Sequence, residues 1–179
     1  MRASILSIFA LPDIETQARF IGRVAAVLFN WIRRNPDPGG RPMRGLFVLN
    51  EAADFLPRKN AASKPGLMLL ARQARKYGLG LILATQNPMD LDYNATANFS
   101  TQIFGKANTP QVVAFIQKEI EQRGLPRVNP GELKTGQFYC ATPSLGRPVR
   151  FQAALCLNAH PRNIQLRDED ILSRAMGSA

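Results

Sequence analysis

Two short apolar runs constrain this chain most. Residues 45–49 (GLFVL) run straight into Asn50-Glu51, and residues 79–84 (LGLILA) run into Thr85-Gln86. Runs this short, and apolar throughout, read as strands buried on both faces, as in a parallel sheet. Parallel neighbours need a crossover, and residues 64–77 supply a predicted helix closed by Gly78. The polar residues then emerge at the C-terminal ends of the strands, where open α/β sheets bind ligands. A carboxylate at such a place can hold Mg²⁺ or deprotonate an attacking water. A strand running into Asn-Glu is equally the start of a helix cap.

The rest of the chain follows the same alternation. Residues 4–10 (SILSIFA) read as a buried strand ended by Leu11-Pro12. Asp13 then caps a helix whose apolar positions 14, 18, 21, 25, 28 and 32 share one face, and the Asn-Pro-Asp-Pro-Gly-Gly run at 35–40 stops it. Residues 93–98 form a short helix or turn, and 101–104 (TQIF) a fourth strand. Thr109 caps a helix over 110–123 with Pro in its first turn. Beyond Gly124 the pattern changes to two strand-like runs, 136–141 and 149–155, joined by a turn-rich link, which predicts a terminal hairpin. Residues 168–174 form a last short helix. The fold class is α/β, with a parallel sheet and crossover helices.

Composition narrows the partners. Among 179 residues, 23 Lys and Arg stand against 13 Asp and Glu, for a net charge of +10. Six basic residues (Arg58, Lys59, Lys64, Arg72, Arg75, Lys76) fall between Phe55 and Met89 without an acid. Five more (Lys134, Arg147, Arg150, Arg162, Arg167) fall between Leu133 and Arg167, again without one. Such blocks suit a polyanion, nucleic acid or nucleotide phosphate, and equally a solvated basic face. Cys140 and Cys156 make no CxxC spacing and His160 is the single histidine, which argues against a Cys/His metal site. The cysteines read as buried and reduced. The apolar stretch after Met1-Arg2 is short and meets Asp13 and Glu15 at once, so it reads as strand rather than signal peptide, and no membrane segment is found. The expected location is cytoplasmic.

Three phrases in order, LFVLNEAADFLP, LLARQARKYGLGLILATQNPMDLD and TQIFGKANTP, resemble the HerA/FtsK-type ring ATPases, and most of all the HerA-like helicase domain. The resemblance covers roughly residues 4–157, with its core at 45–108. It implies the C-terminal part of a RecA-like P-loop domain over 1–157, with strand-helix units to about 123 and a hairpin at about 136–155, followed by a tail at 158–179. It also implies ATP and Mg²⁺ as cofactors, DNA as partner, and a hexameric ring. By position, Asn50 and Glu51 match the end of the Walker B strand, Glu51 as the catalytic carboxylate and Asn50 as a weak Mg²⁺ ligand acting through water. Thr85 and Gln86 match the polar sensor of the next strand. Arg72 or Arg75, with Arg75 preferred, matches the region that supplies an arginine finger to a neighbouring subunit.

The sequence departs from that pattern twice. Asn50 stands where most relatives carry Asp, so the strand end loses a charge. No GxxxxGK[ST] occurs: Gly105-Lys106 is followed by Ala107, and Ser100 fills the earlier glycine position. The resemblance puts that strand and loop before residue 4. The expectation is therefore a motor segment that is inactive alone: either a fragment of a longer chain, or a split protein completed by another chain such as an N-terminal ATPase half. The alternatives are a non-catalytic DNA- or partner-binding module of the same fold, and part of a secretion or conjugation motor.

Overall fold

The computed structural model describes residues 4–35, 43–154 and Ser173. The first helix, α1 (Ile14–Arg34), begins as expected: Asp13 accepts hydrogen bonds from the backbone N–H and the hydroxyl of Thr16, which hold its carboxyl below the ordinary range. Its buried positions are Ala18, Ile21, Ala25, Phe29 and Ile32. Leu28 packs half-buried against the same core as expected, Phe29 joins it, and Ile14 is exposed.

Strand β1 (Gly45–Leu49) leads through a single helical turn, α2 (Ala52–Phe55), and a loop to α3 (Lys64–Gln73). The last turn of the expected 64–77 helix tightens to a 3-10 turn, Ala74–Tyr77, closed by Gly78 at φ +78°, where a side chain would be strained. Strand β2 (Leu79–Leu83) then pairs parallel with β1, Gly45 opposite Leu79 through Leu49 opposite Leu83. The expected parallel unit is present.

One face of this sheet is covered. Phe47, Leu81 and Leu83 pack with Leu49 and Leu79 into the cluster formed by α1, α2 and α3. The two long helices meet at glycines. A Cβ on Gly66 would lie 2.7 Å from the Gly22 carbonyl oxygen, and one on Gly22 would lie 2.9 Å from that of Ala62. Their backbones therefore touch without intervening side chains. On the opposite face Leu46, Val48 and Ile82 are 50%, 58% and 47% exposed. Parallel sheets normally bury both faces, so this one is half dressed.

Residues 4–10 do not form the expected strand: they run as coil into a turn, with Ile5, Leu6 and Phe9 exposed and Ile8 packed on the core. Apolar composition alone does not make a strand when no neighbouring edge is paired with it.

A second unit follows α4 (Tyr93–Thr96). Strand β3 (Gln102–Phe104) does not extend the parallel sheet. It pairs antiparallel with β4 (Gln137–Ala141), which pairs antiparallel with β5 (Val149–Gln152). The expected hairpin is thus two strands of a three-stranded sheet, with the Phe138 and Phe151 rings stacked at 5.7 Å. Helix α5 (Pro110–Gln122), capped by Thr109, buries Ile116 and Ile120 with Ala107, Leu125 and Ala141. Arg123 joins the units by donating to the carbonyls of Phe99 (2.8 Å) and Thr96 (3.1 Å). Cys140 is a half-buried free thiol. Cys156, His160, the 35–40 stop beyond Asn35 and the 168–174 helix (Ser173 excepted) lie outside the described residues. Among the described residues no helix is long and apolar enough to cross a membrane.

Candidate nucleotide site at the sheet edge

Strand pairing continues past both strand ends. Ala84 N–H donates to the Leu49 carbonyl at 2.9 Å, and Ala52 N–H donates to the Ala84 carbonyl at 2.8 Å. Between these two bonds the chain must turn sharply, and Glu51 absorbs the turn at φ +48°, ψ +48°. It is the single non-glycine residue with positive φ among the described residues. A left-handed conformation costs a side-chain-bearing residue about 1 kcal/mol or more, and such strain concentrates at functional sites.

The turn aims the Glu51 carboxylate across the edge. Gln86 Nε2 donates to Glu51 Oε1 at 2.7 Å. The two strand-end motifs, far apart in sequence, therefore converge. Glu51 is half-buried, while Asn50 and Gln86 are exposed. Thr85 does not join them: its hydroxyl faces Asn87, accepting from that backbone N–H at 3.2 Å. Asn87 in turn caps the following turn through Met89 N–H and holds Asp90 at 2.5 Å.

Arg72 and Arg75 are not brought to this edge. Gly78, which follows the 3-10 turn carrying Arg75, bonds to Arg44 and Gly45 at the start of β1. A five-residue strand spans roughly 16 Å, and that length separates the two ends. Both arginines are exposed, and neither forms an ion pair with a described carboxylate.

One group on this edge had no local sequence signal. Lys64, at the start of α3, pairs with Asp92 at 2.6 Å and donates to the carbonyls of Arg58 and Lys59, each at 3.2 Å. Burial pushes the Asp92 carboxyl up, but the Lys64 hydrogen bond, the Asn94 backbone N–H and the Lys64 charge outweigh it, and the group lies below the ordinary range. Arg58 stacks on Tyr93 at 4.7 Å and reaches its hydroxyl. The loops after Glu51 and after Gln86 are thereby fastened together.

A Mg²⁺ ion with near-octahedral geometry takes one or two carboxylates and fills its remaining positions with water and phosphate oxygens. Glu51 and Asn50 offer one charged and one neutral oxygen, which fits the protein side of that shell. No cluster of three or more metal-ligating side chains exists among the described residues, so the phosphates would have to supply the rest.

No family model matches the chain. The probable DNA double-strand break repair helicase HerA of Methanocaldococcus jannaschii is 32% identical over 117 residues, 64% of this chain and 23% of that protein. DNA translocase FtsK 1 of Neisseria meningitidis serogroup A is 31% identical over 123 residues, 67% of this chain and 14% of that protein. The chain thus spans a quarter or less of the curated relatives it matches. Among solved structures, the genome packaging NTPase B204 from Sulfolobus turreted icosahedral virus 2 with AMPPCP superposes with a TM-score of 0.51 at 21% identity, over 62% of this chain and 53% of that one. The same protein with AMP gives 0.50. At that identity the likeness is one of fold.

Proposed function

We propose that this chain, a segment of HerA/FtsK-type ATPase, works as the C-terminal portion of an ATP-hydrolysing motor that moves DNA as a ring. The single observation that carries the reading is the Gln86–Glu51 hydrogen bond at the C-terminal edge of the parallel strands. With Oε1 held by Gln86, the second carboxylate oxygen has no partner among the described residues and is free to take a proton from an attacking water. Gln86 keeps the carboxylate from swinging away and presents its own amide to the same space. Asn50 would hold Mg²⁺ through water, beside the Glu51 charge, and the ion would neutralise phosphate charge. Arg72 and Arg75, a strand length away, would serve a neighbouring subunit's nucleotide rather than this one.

What these residues lack is a phosphate cradle. A GxxxxGK[ST] loop provides several backbone N–H donors and a lysine at once, and nothing among the described residues at this edge replaces it. The 179 residues alone are therefore expected to be silent. The test is ATP turnover of the purified chain with and without an added polypeptide bearing an apolar strand and a GxxxxGK[ST] loop. Turnover should appear on addition and fall at least 100-fold with Glu51→Gln. Turnover by the 179 residues alone would contradict the reading.

A second reading, a non-catalytic DNA-binding module of the same fold, is favoured by one observation: Asn50 removes a charge from the strand end. It requires salt-dependent DNA binding that no companion polypeptide converts into turnover.

A further inference from the structure

The outward face of α1 is basic and carries an exposed aromatic ring. Opposite the buried positions, Arg19, Arg23, Val27, Trp31 and Arg34 recur at helical spacing and form one stripe. Trp31 is 54% exposed. Arg44 reaches over from the start of β1, its guanidinium 5.5 Å from the Trp31 ring centre and bonded to the Asn35 carbonyl. Val27, Asn30, Trp31, Arg34 and Asn35 line an open, shallow surface depression. Among the described residues the acids nearest this stripe, Asp13 and Glu15, lie at its far end, where Glu15 is paired with Arg19 and Asp13 caps the helix. Arg23 and Arg34 form no ion pair with any described carboxylate.

A solvated basic face needs no tryptophan, and a core tryptophan would not be half exposed among arginines. The combination matches single-stranded nucleic acid, whose bases stack on aromatic rings while cations follow the backbone. From Arg23 to Arg34 the helix rises roughly 16 Å, enough for several successive phosphates of one strand.

The geometry points to the Arg23–Trp31–Arg34 stripe of α1, with Arg44, as a binding surface for single-stranded DNA, one base resting on Trp31. The choice of DNA rests on the motor reading above; the surface itself does not involve Glu51 or Gln86.

Trp31 is the one tryptophan of the chain, so its emission reports the contact directly. The 179-residue chain is titrated with a twelve-residue oligothymidylate at low salt, following tryptophan fluorescence and, separately, anisotropy of a labelled oligonucleotide. Saturable quenching is expected, with affinity falling as salt rises. Trp31→Ala should weaken binding by anisotropy about ten-fold, the weight of one stacked base, and Trp31→Phe should recover most of it. Arg34→Glu and Arg23→Glu should each reduce the salt slope by about one. Binding by anisotropy with unchanged emission and no effect of these variants overturns the assignment. So does a duplex that quenches as well as the single strand, an oligoribonucleotide that binds more tightly, or no binding at low salt. The titration contains no ATP, so failure to restore ATP turnover leaves it untouched, and a flat titration leaves the hydrolysis reading standing.

Discussion

Gln86 and Glu51 share a 2.7 Å hydrogen bond although they belong to different strands and different loops. The bond fixes one carboxylate oxygen and leaves the other open. In the completed assembly, Gln86→Ala should lower kcat about ten-fold or more while leaving KM within a few-fold, because positioning is lost and ground-state binding is not. Gln86→Glu is more diagnostic. Two carboxylates at this separation resist double ionisation, so the acid limb of the rate profile should move to higher pH, which initial rates across pH 5–9 would show.

Glu51 also has a backbone consequence. Glu51→Gly and Glu51→Ala both delete the carboxylate, but glycine alone relieves φ +48°. The glycine variant should be the more stable of the two by about 1 kcal/mol, or roughly 2–4 °C in Tm for a chain of this size. Equal Tm values would mean that the turn is not strained.

The α1–α3 contact gives a sharper effect. Gly66→Ala places a methyl 2.7 Å from the Gly22 carbonyl oxygen, and backbone must move to admit it. A loss of about 2–4 kcal/mol by urea unfolding is expected. Gly45→Ala is the control: its nearest neighbour is the flexible Leu79 side chain at 3.4 Å, and its cost should stay below about 1 kcal/mol.

Asp92 links stability to pH. Its folded carboxyl lies below the ordinary value, so its contribution is complete above about pH 4 and is lost as pH falls through the lowered folded value. Lys64→Met leaves the carboxylate, 9% exposed, without its partner. The variant should lose about 3 kcal/mol at neutral pH and unfold with a shallower acid dependence. Asp92→Asn, which removes the charge itself, should flatten the same limb. Unfolding free energies from pH 2 to 7 decide this.

The two faces of the parallel sheet should answer differently to charge. Leu81→Lys buries an ammonium in the α1–α3 core and should prevent folding. Ile82→Lys, one residue along and on the open face, should cost less than about 1 kcal/mol in the same chain. Circular dichroism of the pair gives the answer.

The sequence carried the local grammar of this fold well. The caps at Asp13 and Thr109, the Gly78 stop and the two strands with their crossover helix are each governed by nearby residues. Three things were not legible. Residues 4–10 have strand composition, but whether such a run pairs depends on an available edge. The 101–104 run forms a strand, yet its partner is β4, and short apolar runs do not say which edge they join. The Lys64–Asp92 pair spans two loops whose approach follows from the tertiary structure. At the site, strand-end placement foretold the meeting of Glu51 and Gln86. It did not foretell that Thr85 turns to Asn87, or that Arg72 and Arg75 sit toward the other end of the sheet.

A parallel sheet of two strands has as many outer edges as strands. Within the described residues β1 and β2 pair with each other alone, so each presents a row of backbone donors and acceptors beside the uncovered Leu46, Val48 and Ile82. Such rows template further strand pairing. The handling properties of the chain follow from this: at rising concentration its self-association should begin here, through backbone pairing that added salt does not dissolve. Lysine at position 48 or 82 should then act as a solubility switch without touching the Glu51–Gln86 pair.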